Sequence, residues 1–222
     1  MRHEEKYPLT AADAVMLKAR LPLLLSWDPY HVDTQGRYEI TSLYFDTPDD
    51  NALREKESGI SRREKYRLRR YDRDTEQILL ERKYKSGDLV GKDAAFMTRE
   101  QCERLLRGDA AWMIGSGERL IREFYLKWRL QGLRPRSLVV YRREAYVTET
   151  GNIRITLDTD IRSGVRGTDF LSEAPSLMPV QPGLCLLEVK YDHYLPQAIR
   201  DVIGCHARQS GFSKFEAAHI YD

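Results

Sequence analysis

The 222-residue sequence has few cysteines, no long apolar run and almost no net charge. Its three cysteines, Cys102, Cys185 and Cys205, lie far apart and form no CxxC pair, which argues against a disulfide framework and indicates a reducing compartment. No apolar stretch approaches the roughly 20 residues of a membrane helix, and the N-terminus has no apolar targeting core. We therefore expect a cytoplasmic protein without a transmembrane segment.

Familiar catalytic signatures are also missing. There is no Walker A motif, no GxGxxG and no HExxH, and the five histidines show no metal-ligand spacing. A net charge of +2 does not by itself mark a nucleic-acid binder. The chain has 41% hydrophobic residues, enough to form a hydrophobic core. Its 32% charged residues exceed the roughly 25% that is typical of globular proteins. We expect one domain over residues 1–222.

Charge alternates along segments that otherwise have the composition of β-strands. Residues two apart in a strand face the same side, so each such segment has one face that bears charge of both signs. The rows are Arg2, Glu4 and Lys6; Lys65, Arg67 and Arg69; Glu81, Lys83 and Lys85; and Glu188, Lys190 and Asp192.

The order of elements predicts an α+β fold with an eight-stranded antiparallel β-barrel and helices packed outside it. Strands are expected over 2–7, 38–45, 62–71, 77–85, 89–96, 137–148, 152–161 and 184–192. Helices are expected over 10–24, 49–57, 98–107, 118–131 and 196–209. Residues 172–182 read as a loop, and 213–220 as a strand or coil tail.

Basic rows that line a barrel would converge on a polyanion. Arginine reads phosphate through forked hydrogen bonds and lysine acts as a point charge, so several of each suit a triphosphate or a longer phosphate chain. A sheet with one solvated face is the alternative. Phosphate chemistry favours Mn²⁺ or Mg²⁺, which prefer oxygen ligands. Glu188 is the favoured ligand, while Glu4 and Glu81 are either further ligands or partners that balance the basic rows.

Short motifs in order along the chain resemble those of triphosphate tunnel metalloenzymes (CYTH-like), and most closely the VTC-type polyphosphate polymerase domains. They are RHEEKY at 2–7, SLYFDT at 42–47, KYRLR at 65–69, ERK at 81–83, YRR at 141–143 with RITLD at 154–158, LEVK at 187–190 and SKF at 213–215.

The resemblance implies an eight-stranded tunnel in which ATP donates its γ-phosphate to a polyphosphate chain, with Mn²⁺ or Mg²⁺ and without a protein nucleophile. It implies phosphate contacts from Lys6, Arg67, Arg69, Lys83, Arg143, Arg154 and Lys214, a phosphate hydrogen bond from Tyr141, and a metal at Glu188. Arg2, Lys190 and Ser213 lie in the same motifs and are added as substrate-binding residues. Gly211 stands where eukaryotic relatives have a lysine, which removes one phosphate contact.

Two other functions stay open. Hydrolysis of triphosphate or polyphosphate would use the same basic rows, with water in place of the chain end. A non-catalytic module for polyphosphate or RNA would also use interleaved lysine, arginine and tyrosine, although RNA needs exposed aromatics for stacking and is not expected. The SPX sensor domain and membrane helices of eukaryotic relatives are not in this chain, and association with a membrane partner is left open.

Overall fold

The computed structural model describes residues 2–29, 36–87, 89–165, 168–204 and 210–219. Within them the strands are β1 (His3–Leu9), β2 (Ser26–Trp27), β3 (Arg37–Asp46), β4 (Arg62–Tyr71), β5 (Ile78–Ser86), β6 (Leu89–Met97), β7 (Arg134–Thr148), β8 (Ile153–Gly164), β9 (Leu177–Pro179) and β10 (Cys185–Tyr191). The α-helices are α1 (Ala11–Arg20), α2 (Asn51–Glu57), α3 (Arg99–Leu106), α4 (Arg119–Leu130), α5 (Gln197–Gly204) and α6 (Lys214–His219).

Eight antiparallel strands form one continuous path in the order β1-β10-β8-β7-β3-β4-β5-β6, with β2 added to β7 and β9 to β8. The two ends of the path meet where the Arg2 amide donates to the Val90 carbonyl (3.0 Å) and the Val90 amide donates to the Arg2 carbonyl (3.2 Å). Among the described residues, β1 and β6 pair at this bridge alone. The predicted α+β fold, an antiparallel sheet with helices packed outside it, is therefore confirmed. The sheet has ten strands in the described residues and curls like the wall of a tunnel, but it is not closed into the predicted eight-stranded barrel by a full ladder of hydrogen bonds.

Helices cover the outer faces of the sheet. Phe124 of α4, fully buried, packs against the outward side chains of β3 and β4, including Phe45 and Tyr66. On the other side, Leu17 of α1 and Ile199 of α5 lie in one buried cluster with apolar side chains of β1, β8 and β10. Burying each of these large side chains contributes roughly 1.5–3 kcal/mol. The charged rows of the same strands are consequently left to face inward.

Local signals in the sequence decide where two helices begin. Thr10 accepts a hydrogen bond from the Asp13 amide (3.2 Å), and Thr98 accepts one from the Gln101 amide (3.2 Å). In both turns the side chain at the third helical position bonds back to the capping residue. These capping boxes satisfy amides that the first helical turn otherwise leaves unpaired.

Three expectations about the chain are corrected or limited. The tail expected as strand or coil contains helix α6, and the predicted loop 172–182 contains the short strand β9. A six-residue helix is not stable alone, but α6 buries Phe215 and Ala218 against the inner face of the sheet. The predicted helix 196–209 is seen as α5, while 205–209, with Cys205, lie outside the described residues.

Two expectations drawn from the cysteines and from the absence of long apolar runs can be compared with the described residues. Cys102 and Cys185 are buried and unbridged, and burial raises the pKa of each thiol to about 12. In the parts of the chain that the structure describes, no helix combines the length and apolarity needed to cross a membrane.

Candidate active site

A cavity of about 870 Å³ occupies the inside of the curled sheet, and we call it the interior cavity. Its wall consists of side chains of the eight-strand path, Lys56 of α2 and residues 210–215. Every site residue predicted from the sequence lines it except Glu81. They are Arg2, Glu4, Lys6, Arg67, Arg69, Lys83, Tyr141, Arg143, Arg154, Glu188, Lys190, Ser213 and Lys214.

Glu81 is on the same face of the sheet as its cross-strand partner Arg67, but it is buried beneath the cations that line the cavity and anchors those of β4. Its carboxylate is fully buried and accepts hydrogen bonds from Arg67 Nε (2.7 Å) and Lys92 Nζ (2.8 Å), with Arg69 3.7 Å away. Burial alone would raise the pKa of Glu81, but the charges of Arg69 and Arg67 hold it well below its ordinary value. Both carboxylate oxygens are already used, which favours pairing over metal binding for this residue.

Glu4 binds cations from three directions. Its two oxygens accept hydrogen bonds from Lys83 Nζ at 2.6 and 2.8 Å, and the ammonium groups of Lys6 and Lys190 lie 3.3 and 3.8 Å away. Burial, helped by the charge of Lys6, lowers the pKa of Lys83 to about 7 although Glu4 opposes the shift. Burial also lowers the pKa of Lys190, whereas the charges of Glu188 and Glu4 outweigh burial at Lys6 and raise its pKa. The cluster therefore keeps three lysines close together and disfavours the protonated forms of two of them, Lys83 and Lys190.

Glu188 is held more loosely than Glu4 or Glu81. Its carboxylate lies 3.3 Å from Lys190 Nζ and 3.4 Å from an Arg143 guanidinium nitrogen. Burial would raise the pKa of Glu188, but Lys190, Lys6 and Lys83 outweigh it and hold that pKa well below its ordinary value. The group is therefore an ionised carboxylate at the cavity wall, without the short hydrogen bonds that engage the other two glutamates.

Asp158, which the sequence did not single out as a site residue, fixes two predicted cations. The fully buried carboxylate accepts two hydrogen bonds from Arg143 (2.6 and 2.7 Å) and lies 2.6 Å from Lys214 Nζ. Both cations also lie over the ring of Tyr141, at 5.3 and 4.7 Å from its centroid. Asp158 thus sets the direction in which Arg143 and Lys214 can offer their remaining donors.

A second unpredicted carboxylate, Asp28, holds Arg154. Asp28 Oδ2 accepts from Arg154 Nε (3.1 Å) and from a terminal nitrogen (2.7 Å), which also donates to the Tyr38 hydroxyl (3.0 Å). Asp28 is far from Arg154 in sequence and follows β2, a strand of two residues. No periodic pattern marked it, so sequence reasoning had no signal for this contact.

Tyrosine hydroxyls link the arginines of β4 to neighbouring strands. Tyr141 accepts a hydrogen bond from Arg69 (3.1 Å) and Tyr44 accepts one from Arg67 (3.0 Å). Although burial would raise the pKa of Tyr44, the charges of Arg67 and Arg69 lower it overall. Tyr44 lies in the SLYFDT motif but was not proposed as a site residue.

The remaining predicted residues lie at the cavity wall with fewer contacts. Arg2 forms an ion pair with Asp192 (3.1 Å), beside the bridge that joins β1 to β6. Ser213 Oγ is 3.5 Å from Lys65 Nζ, whose ammonium also lies 4.4 Å from the centroid of the Phe215 ring. Asp192, which belongs to one of the charged rows, pairs with Arg2 but does not line the interior cavity.

A family model for the VTC domain matches residues 1–220. The chain belongs to the VTC domain family. No curated protein matches it.

Solved structures share the fold of this VTC domain at low sequence identity. A Hippeastrum protein, HpAC1, described as a candidate adenylyl cyclase with a dominant triphosphatase activity, is 15% identical with a TM-score of 0.57, over 97% of this chain and 93% of that one. A candidate adenylate cyclase from Bacillus halodurans is 13% identical with a TM-score of 0.56, over 95% and 93%. The PH1012 protein from Pyrococcus horikoshii is 12% identical with a TM-score of 0.53, over 98% and 99%.

The donor set around Glu188 is compatible with a hard divalent cation. Across β8 and β10, Thr156 is paired with Glu188; it is buried, and its hydroxyl has no hydrogen-bond partner among the described residues. No group of three or more His, Cys, Asp or Glu side chains suited to a metal occurs in the described ranges. Mg²⁺ commonly needs only one or two carboxylates when substrate phosphates and water complete its shell, so these residues fit such an ion bound together with substrate.

Other cations at the cavity wall were not proposed as site residues. They are Lys56, Arg63, Lys65, Lys85 and Lys92. Lys56 of α2 pairs with Glu216 (2.8 Å), and a Cβ at Gly211 would lie 3.8 Å from its ammonium nitrogen. A positive charge therefore lies beside Gly211 even though the expected lysine is missing there.

Proposed function

We propose that this VTC domain is a polyphosphate polymerase that transfers the γ-phosphate of ATP to a polyphosphate chain in the interior cavity. The observation that carries the proposal is the convergence of lysines and arginines on one cavity, most of them held by buried carboxylates. Preorganised charge of this kind stabilises a transferring phosphoryl group without having to reorganise during the reaction.

The proposed step needs no protein nucleophile. A terminal oxygen of the polyphosphate chain attacks the γ-phosphorus, a new P–O bond forms, and the bond from that phosphorus to the bridging oxygen breaks. The bond's electron pair leaves with ADP. Because the attacking oxygen is already anionic, the protein has to align the two chains and balance their charge, a role that proximity and electrostatics can fill.

The predicted residues divide into three roles. Arg67, Arg69 and Arg143 can offer guanidinium donors to phosphate oxygens while Glu81 and Asp158 hold them. Glu188, with Thr156 beside it, would hold Mn²⁺ or Mg²⁺, which when bound neutralises phosphate charge. Further phosphate contacts are assigned to Arg2, Lys6, Lys83, Tyr141, Arg154, Lys190, Ser213 and Lys214.

Hydrolysis of triphosphate or polyphosphate is the second candidate. The Hippeastrum protein that shares the fold is described with a dominant triphosphatase activity. In addition, Lys83 has a pKa of about 7 because of its burial and the charge of Lys6. A fraction of neutral amine near pH 7 could accept a proton from an attacking water, which chain extension does not require.

Incubation with ATP, Mn²⁺ and a short polyphosphate primer separates the two reactions. A polymerase lengthens the primer on a urea gel and produces one ADP for each phosphate added. Release of orthophosphate from ATP or from the primer, with no longer product, would refute the polymerase and support the hydrolase.

Glu188→Gln tests whether the cavity is catalytic at all. We expect metal-dependent turnover to fall about 100-fold, because the cation that would neutralise phosphate charge loses its carboxylate ligand. Glu57→Gln, an exposed glutamate at the end of α2, is the matched control and should retain full turnover. If wild type and Glu188→Gln both bind polyphosphate or RNA and neither turns over ATP or polyphosphate, the protein is a binding module and the proposal fails.

A further inference from the structure

Positive charge is unevenly compensated within the interior cavity. The arginines and lysines of the proposed catalytic set have carboxylate partners, as Arg67 has Glu81 and Arg143 has Asp158. Arg63, Lys65 and Lys85 line the same cavity. Arg63 donates a hydrogen bond to the Ile60 carbonyl, and Lys65 contacts the Ser213 hydroxyl and the Phe215 ring. Among the described residues, none of the three cations has a carboxylate within ion-pair distance.

The strand register places these like charges directly opposite other cations. Arg63 is paired with Lys85 across β4 and β5, and Lys65 is paired with Lys83 in the same way. Like charges in directly opposed positions destabilise a sheet. Glu4 compensates the charge of Lys83, but Arg63, Lys65 and Lys85 have no such carboxylate among the described residues. An anion bound beside these three cations would relieve the repulsion.

The environment of Lys65 shows the same deficit of negative charge. It is half-buried, and burial together with the charges of Lys6 and Lys56 lowers its pKa to about 7. A polyanion beside Lys65 would offset the repulsion from those cations, raise its pKa and favour the protonated form. The site is thus electrostatically incomplete without a ligand.

These residues continue the row of cations that begins with Arg67 and Arg69. Arg63 is four residues before Arg67 on the same face of β4, a distance of about 13 Å along the strand. A triphosphate bound at Arg67 and Arg69 would not span that distance. An anion that reaches both positions must be an extended chain.

We propose that Arg63, Lys65 and Lys85 form a second phosphate subsite that holds the continuing part of a polyphosphate chain, so that the interior cavity binds long chains more tightly than triphosphate. This inference rests on the proposed function only in taking polyphosphate as the ligand, and it names the preferred chain length of that ligand. It holds for a polymerase, whose product lengthens along the row, and for a hydrolase that acts on chain ends.

The test is the double variant Arg63→Gln/Lys85→Gln, with Arg107→Gln/Arg129→Gln as a control that removes equal charge from exposed positions outside the cavity. Binding of tripolyphosphate and of long-chain polyphosphate is measured by calorimetry with a chelator present, so that turnover does not interfere. We expect the cavity variant to lose about tenfold in affinity for the long chain and to bind tripolyphosphate within about twofold of wild type. Its urea midpoint should be equal or higher, because a like-charge pair is gone.

The proposal is overturned if the cavity variant keeps its affinity for the long chain, if both ligands weaken equally, or if wild type binds the long chain no more tightly than tripolyphosphate. Its failure is separable from that of the proposed function. Wild-type protein that prefers long chains yet neither extends nor cleaves them would refute the function and leave the subsite standing. Turnover by the wild-type protein, together with unchanged long-chain affinity in the double variant, would support the proposed function and refute the subsite.

Discussion

Replacement of Asp158 by asparagine tests the charge arrangement of the interior cavity most directly. The carboxylate is fully buried, accepts two hydrogen bonds from Arg143 and lies 2.6 Å from Lys214 Nζ. Removing one partner of a buried ion pair typically costs about 3–5 kcal/mol, because charge is left uncompensated. Asparagine keeps one acceptor oxygen, so we expect Asp158→Asn to lower the free energy of unfolding by about 3 kcal/mol.

The same substitution should respond unusually to ligand. In wild type, Asp158 already compensates the charges of Arg143 and Lys214, whereas in the variant a bound phosphate would supply the missing anion. We therefore expect saturating tripolyphosphate to reduce the stability difference between the two proteins by about 1 kcal/mol. A variant damaged only in its packing would gain no more from the ligand than wild type does.

The assay is urea unfolding followed by tryptophan fluorescence at pH 7, with and without tripolyphosphate. In a thermal scan of a protein this size, a 3 kcal/mol loss corresponds to about 6–12 °C. Asp49→Asn, an exposed substitution next to α2, is the control and should leave the midpoint unchanged. A loss below about 1 kcal/mol, or a stability gap that widens with ligand, would refute the assignment.

The pH dependence of wild type follows from the same carboxylate. Burial would raise the pKa of Asp158, but Arg143 and Lys214 outweigh it and lower that pKa. A carboxyl with a lower pKa in the folded state stabilises the fold above its unfolded pKa, about 4, and loses this contribution as the pH falls through the folded value. The difference between wild type and Asp158→Asn should therefore be constant near neutrality and shrink in acid.

The remaining predictions concern Glu81 and Lys65. Glu81→Gln should weaken tripolyphosphate binding about tenfold in calorimetry, because Arg67 and Arg69 lose their anchor; unchanged affinity with loss of Mn²⁺-dependent turnover would instead support a metal role. Lys65→Met should raise the urea midpoint below pH 7, because burial and nearby cations lower the pKa of Lys65 to about 7 and its charged form disfavours folding. The gain should fade as the pH rises toward the unfolded pKa of about 10.4, and a gain that grows with pH would contradict this account.

Alternation was the reliable signal in this sequence. A strand period of two is a local property, so residues such as Arg67, Arg69 and Lys83 could be assigned to one face without knowledge of their partners. The apolar residues between them indicated which face would be covered by helices. For that reason nearly all the predicted site residues line one cavity.

Partners across the fold could not be predicted in the same way. Asp28 follows a two-residue strand and holds Arg154 from a distant part of the chain. Glu81 belongs to a charged row, yet its complete burial beneath Arg67, Arg69 and Lys92 depends on how β4, β5 and β6 pack together. The helix at Lys214–His219 is likewise stabilised by burial against the sheet, which a six-residue pattern cannot reveal.

The strands, the face on which each charge lies and the family resemblance could be predicted from the sequence, because they depend on local periodicity and short motifs. The partner of each cation is visible only once the chain is folded, as is the lack of a carboxylate partner for Arg63, Lys65 and Lys85 among the described residues. Ion pairing depends on distances of a few ångströms between remote segments, and strand register with sheet curvature sets those distances.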